Sequence, residues 1–139
     1  DLDVFGPAEH NGTFRGNQLA FIGATAGIEY YRDNDLPQIV KNKEAIILKF
    51  LTDEILSIDS RLSVRETGMI WGIDFTGINY RLSKDVMLEC VKNNLIIERA
   101  GRKDAVLKIL PPLTIENEVL LEGLDIIKNA VIYTLEKSL

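Results

Sequence analysis

Leu62-Ser63-Val64-Arg65-Glu66-Thr67-Gly68-Met69-Ile70-Trp71-Gly72-Ile73-Asp74-Phe75 is the stretch in which the apolar period of the chain changes to two. Leu62 and Val64 alternate with polar neighbours, and Met69, Trp71, Ile73 and Phe75 alternate with Ile70, Gly72 and Asp74. Successive side chains of a strand point to opposite faces, so this alternation predicts two strands joined near Glu66-Thr67, with one face buried. Trp71 falls on the apolar face and reads as core.

On the amino-terminal side the pattern is helical. Leu36 to Leu56 predicts a helix with Pro37 in its first turn. Ile39, Val40, Ile47, Phe50 and Leu51 form its apolar stripe, and lysines and acids are expected opposite. Asp33-Asn34-Asp35 punctuates the chain before it. Gln18 to Arg32 is a further helix, rich in small residues. Gly23 and Gly27 weaken it in isolation, so its glycine face is expected to press against a neighbour.

On the carboxyl-terminal side Ser83 is expected to cap a short helix to Asn94 that buries Val86, Met87, Cys90 and Val91. Leu95–Glu98 reads as a strand, Gly101–Asp104 as a turn, and Val106–Leu110 as a second strand stopped by Pro111-Pro112. Thr114 is expected to cap a last helix to Lys137, with Leu120, Leu124, Ile127, Val131 and Leu135 along one face. The order ααββαββα predicts an α+β fold, a small mixed or antiparallel sheet covered on one face by helices.

The chain has 139 residues, 46% apolar and 27% charged, with a net charge of -5, the composition of an ordinary globular protein. Charges of both signs are mixed, and no basic patch with interleaved aromatics suits a nucleic acid. No apolar run is long enough to cross a membrane. Asp1-Leu2-Asp3-Val4 has no starting methionine or basic leader and reads as a cut or interior start. A single cysteine, Cys90, fits a reducing compartment, and the cytoplasm is the expected location.

Chemistry is concentrated in Pro7–Leu19. Gly12 and Gly16 permit a tight turn, Thr13 offers a hydroxyl, and Asn17 suits the N-cap of the helix that follows. Such a loop grips an anion such as phosphate, or is simply structural. His10, the only histidine, has no cluster of metal-ligating neighbours, and with Glu9 it is expected to shape the loop. Lys108, on the strand before Pro111-Pro112, reads as an exposed strand lysine. Cys90 reads as a small buried hydrophobe.

Glu9–Asn17 resembles the Glu-His-x-x-Thr-Phe-x-Gly-Asn segment of the class III (omega-type) pyridoxal-phosphate aminotransferases. It is most like the L-2,4-diaminobutyrate:2-oxoglutarate aminotransferases of the ectoine-pathway type. The resemblance continues through Val64–Ile73, Asn94–Glu98 and Lys108–Ile115. It covers nearly the whole chain but only the carboxyl-terminal third of such an enzyme.

The resemblance implies the small domain of a fold-type I aminotransferase over residues 35–139, and the end of its large domain over 1–34. It implies pyridoxal 5'-phosphate as cofactor, an amino-acid donor, 2-oxoglutarate as acceptor, and a homodimer sharing the cofactor across its interface. Thr13, with Phe14 beside it, would hold the phosphate of the cofactor in the other subunit. Lys108 stands where many members carry an arginine for the substrate carboxylate. Lysine offers a point charge where arginine offers a fork, so the exchange is not conservative. Arg65 matches the first arginine of a family turn, whereas Thr67 stands where a second arginine is often found; neither is assigned a catalytic role.

The Schiff-base lysine and the partner of the pyridine nitrogen are expected upstream of Asp1. The segment alone is therefore expected to be inactive, with no catalytic residue of its own. Another ω-amino donor such as 4-aminobutyrate, or a non-catalytic oligomerisation module, are the competing readings.

Overall fold

The computed structural model describes residues 4–138. Residues 1–3, on which most of the reading of the amino terminus falls, and residue 139 lie outside them. The chain divides into two compact units, Asp1–Leu36 and Pro37–Leu139.

The first unit carries a loop and helix α1, Gln18–Asp33. The helix starts where the Asn17 side chain accepts from the Ala20 N–H at 3.2 Å, as expected of an N-cap. It ends where the Asn34 side chain donates to the Tyr30 carbonyl at 2.9 Å. No residue of α1 is buried, and Leu19, Phe21, Ile22 and Ile28 are all exposed. A Cβ added at Gly23 or Gly27 would meet nothing within 4 Å. The neighbour expected for this glycine face is not found among the described residues.

The second unit is built from α2 (Leu36–Phe50, whose first residue lies in the other unit), β1 (Ser63–Thr67), β2 (Ile70–Asp74), α3 (Leu82–Lys92), β3 (Glu98–Ala100), β4 (Val106–Ile109) and α4 (Asn117–Lys137). A π-helical turn, Leu51–Ile55, continues α2 and keeps both Leu51 and Ile55 on the buried side. Among the described residues four strands form one antiparallel sheet in the order β1-β2-β4-β3. The α+β expectation holds, with the antiparallel alternative realised.

The core lies on one face of the sheet. Trp71 and Ile73 from β2 and Leu107 and Ile109 from β4 pack with Ile47 of α2, Val86 and Cys90 of α3, and Leu124, Ile127 and Val131 of α4. Each such side chain contributes about 1.5–3 kcal/mol when fully buried. The indole N–H of Trp71 donates to the Gly68 carbonyl at 2.9 Å, so burying the ring leaves no polar atom unpaired.

Several local expectations shift. The turn of the first hairpin lies at Gly68-Met69, past Glu66-Thr67, because Gly68 takes φ +56° without the strain a side chain would add. The strand expected at Leu95–Glu98 begins only at Glu98, where pairing with Lys108 starts; Leu95 is instead tied to the end of α3 by its N–H bond to the Cys90 carbonyl. Ser83 lies inside α3, buried, with its hydroxyl against the carbonyls of Tyr80 (2.9 Å) and Asp104 (2.6 Å), so it ties two elements together and caps neither. Val91 is 49% exposed, on the outer side of α3. Helix α4 starts at Asn117 after Glu116, leaving Thr114 in the preceding turn.

Candidate functional site

The loop of the first unit is folded by its own polar groups. Glu9 accepts the Gly6 N–H at 2.6 Å, and the Asn11 amide donates to the Ala8 carbonyl at 2.9 Å. The His10 ring stacks on Phe5 at 4.5 Å between centroids, which gives it the loop-shaping place expected of it. Arg15 N–H donates to the Gly12 carbonyl at 3.0 Å, closing a turn whose two central residues are Thr13 and Phe14. Gly16 follows at φ +74°, swinging the chain into the Asn17 cap. The Thr13 hydroxyl has no hydrogen-bond partner among the described residues, and Phe14 is 89% exposed. A free hydroxyl in a glycine-flanked turn one step before a helix N-terminus is chemically suited to an anionic oxygen.

The second group of residues lies across the sheet face opposite the core. The ladder pairs Arg65 with Gly72, Gly72 with Lys108, and Lys108 with Glu98, so these four form one row over all four strands. Lys108 is ion-paired with Glu98 across the β3–β4 hairpin; the lysine side chain is 29% exposed and the glutamate 65%. Arg65 pairs with Asp74 at 2.6 Å. Burial pushes the Asp74 carboxyl up, but hydrogen bonds from Thr76 and the charge of Arg65 outweigh it, leaving the group below its usual range. Lys108 and Glu98 also line a cavity of about 470 Å³, walled otherwise by apolar residues including Leu110, Pro112, Ile115 and Val119.

Lys108 is thus neither a free surface lysine nor a free carboxylate grip. Its charge is already answered by Glu98. Thr13 and Lys108 belong to separate units. Among the described residues no cluster could hold a metal ion, and no helix is long and apolar enough to cross a membrane. Two residues escaped sequence reasoning. Glu98 escaped because the loop runs from Gly101 to Ala105, one residue longer than the expected turn, which would have set Ile97 opposite Lys108. Lysines were expected opposite the apolar stripe of α2, yet Lys43 is buried, and its spacing from Val40 and Ile47 puts it on that stripe.

The pattern of the Aminotransferase class-III family matches residues 2–131. The chain belongs to the class-III aminotransferases. Among its class-III relatives it is 42% identical over 132 residues to a diaminobutyrate–2-oxoglutarate transaminase of Wolinella succinogenes, covering 94% of this chain and 30% of that protein. It is 39% identical, with the same coverage, to the diaminobutyrate–2-oxoglutarate transaminase of Marinococcus halophilus. Its fold matches an ornithine aminotransferase of Plasmodium yoelii with a TM-score of 0.79 at 26% identity, over 94% of this chain and 34% of that one. The chain therefore spans about a third of the length of these class-III enzymes. Class-III aminotransferases depend on pyridoxal phosphate, and the open donor at Thr13 fits the phosphate end of that cofactor.

Proposed function

We propose that the enzyme carrying this chain transfers the terminal amino group of L-2,4-diaminobutyrate to 2-oxoglutarate. The observation that carries this reading is the 42% identity to a diaminobutyrate transaminase along 94% of the chain. Pyridoxal phosphate, when bound, supplies the electron sink that lets an amino group move between carbon skeletons.

In this reading residues 1–34 close the large domain and residues 35–139 form the small domain. Thr13 donates its hydroxyl to the cofactor phosphate, and Phe14 packs beside that contact. The cofactor so held belongs to the partner subunit, which makes the enzyme a homodimer and couples cofactor loading to assembly. Lys108 attracts a substrate carboxylate once Glu98 gives way. The lysine that binds the cofactor covalently is assigned to a part of the enzyme outside these 139 residues. The segment by itself then has a phosphate grip and no transaminase activity. The reaction is placed in the cytoplasm.

A donor panel tests the assignment. With 2-oxoglutarate as acceptor, the complete enzyme is expected to show its highest kcat/KM with L-2,4-diaminobutyrate. A higher value for 4-aminobutyrate or ornithine would reassign the donor, and no transfer from any amine would favour a non-catalytic module.

A further inference from the structure

We propose that Lys43 is a positioning residue for the substrate contact at Lys108, acting by latching the connector that leaves β4. The proposal rests on the reading of Lys108 as a carboxylate contact.

Val40, Lys43, Ile47 and Leu51 follow one another at spacings of three and four along one side of α2 and its π turn. Lys43 is only 6% exposed there. Lysine is seldom fully buried, because its ammonium loses hydration, and an apolar residue would fill the same place without that cost. The Lys43 ammonium donates to the carbonyl of Leu113 at 2.9 Å, seventy residues further along the chain. It makes no other hydrogen bond or ion pair among the described residues.

Leu113 lies in the connector between β4 and α4. Pro111 and Pro112 carry no N–H, so this stretch cannot be held by a ladder. Its internal tie is the Ile115 N–H to the Pro112 carbonyl at 3.0 Å. Among the described residues, the Lys43 bond is the one hydrogen bond that residues 111–115 receive from another element. Leu110, Pro111, Pro112 and Ile115 wall the same cavity that Lys108 and Glu98 line. A buried charge on α2 therefore anchors the connector that begins two residues beyond Lys108, and with it the end of β4 that carries this lysine.

The test uses the complete enzyme. Lys43→Met keeps the length and removes the donor. It should raise the KM for 2-oxoglutarate about three- to tenfold, the lower part of the range for a coupled pair, while pyridoxal-phosphate affinity stays unchanged. Amide exchange should accelerate in the peptide covering 110–116, and Lys43→Arg should restore both readouts. In a Lys108→Met background, Lys43→Met should add nothing to the acceptor KM. If Lys43→Met does not fold, Lys43→Gln, whose amide falls short of the carbonyl, carries the same comparison. Faster exchange or a lower melting temperature with the acceptor KM unchanged would make Lys43 structural only and overturn the proposal, while leaving Lys108 in place. An acceptor KM untouched by Lys108→Met would overturn the Lys108 reading and this one with it.

Discussion

Replacing Glu98 by glutamine should make Lys108 a better carboxylate site. Glu98 and Lys108 face each other in the β3–β4 ladder and form an ion pair whose side chains are 65% and 29% exposed. A pair that open to water contributes about 0.2–1 kcal/mol, so displacing Glu98 handicaps an incoming carboxylate by a factor of at most about five. Glu98→Gln should lower the KM for 2-oxoglutarate by up to that factor, with a stability loss of under about 1 kcal/mol. Lys108→Ala should move the same constant the other way by about 1–2 kcal/mol, the low end for a hydrogen bond to a charged group because lysine has no fork. Lys108→Arg should not restore full activity, since the planar head must fit beside Glu98 in a site shaped for an ammonium. Steady-state kinetics of the donor and acceptor half-reactions read all three variants. An acceptor KM that rises in Glu98→Gln, or that ignores both Lys108 variants, would refute the competition and return Lys108 to an ordinary strand lysine.

Thr13→Ala should weaken pyridoxal-phosphate binding by about 1.5–3 kcal/mol, the worth of a hydrogen bond to a charged group, and should reduce the extra dimer stability that bound cofactor confers; a fluorescence titration that finds affinity within twofold of the parent would leave Thr13 structural. Gly72→Ala should destabilise by about 1–3 kcal/mol, because the new methyl would stand 2.7 Å from Cγ1 of Val106 and valine is stiff about χ1; a melting curve checks it, and Val106→Ala in the same chain should recover part of the loss. Cys90 should resist thiol reagents while the protein is folded, since burial pushes its pKa from 9.0 to about 11. The unfolded chain loses that proton first, so stability is fully present below pH 9 and drains as pH rises towards 11; the slope of melting temperature against pH over that range should flatten in Cys90→Ala.

The order of helices and strands was legible because each rests on a repeated apolar spacing, and burial follows spacing wherever one face meets the core. Trp71, Ile73, Leu107, Leu124 and Val131 are buried for that reason. Some element ends were legible, such as the Asn17 cap of α1, and others were not. Ser83 and Thr114 are both good capping residues, but the Ser83 hydroxyl is taken by carbonyls of its surroundings and Thr114 sits in the turn that follows two prolines. Neither choice is written in local propensity. Lys43 escaped because a lysine is ordinarily placed facing water, and only the carbonyl of a connector seventy residues away explains its burial. The row through Arg65, Gly72, Lys108 and Glu98 needed the register of three strand pairs, which no single-strand pattern contains. Thr13 and its loop stood out through residue identity, since glycine, threonine and asparagine at those spacings carry chemistry in the letters themselves.

The proposed reaction moves the terminal amino group of L-2,4-diaminobutyrate onto 2-oxoglutarate. Supplying the complete enzyme with L-2,4-diaminobutyrate labelled with nitrogen-15 at the 4-position only, together with unlabelled 2-oxoglutarate, and following the label by NMR distinguishes the two amino groups. The label is expected in glutamate, and the donor is expected to keep its 2-amino group. Label retained in the donor skeleton while unlabelled glutamate accumulates would show transfer from the 2-position and rule out the proposed reaction.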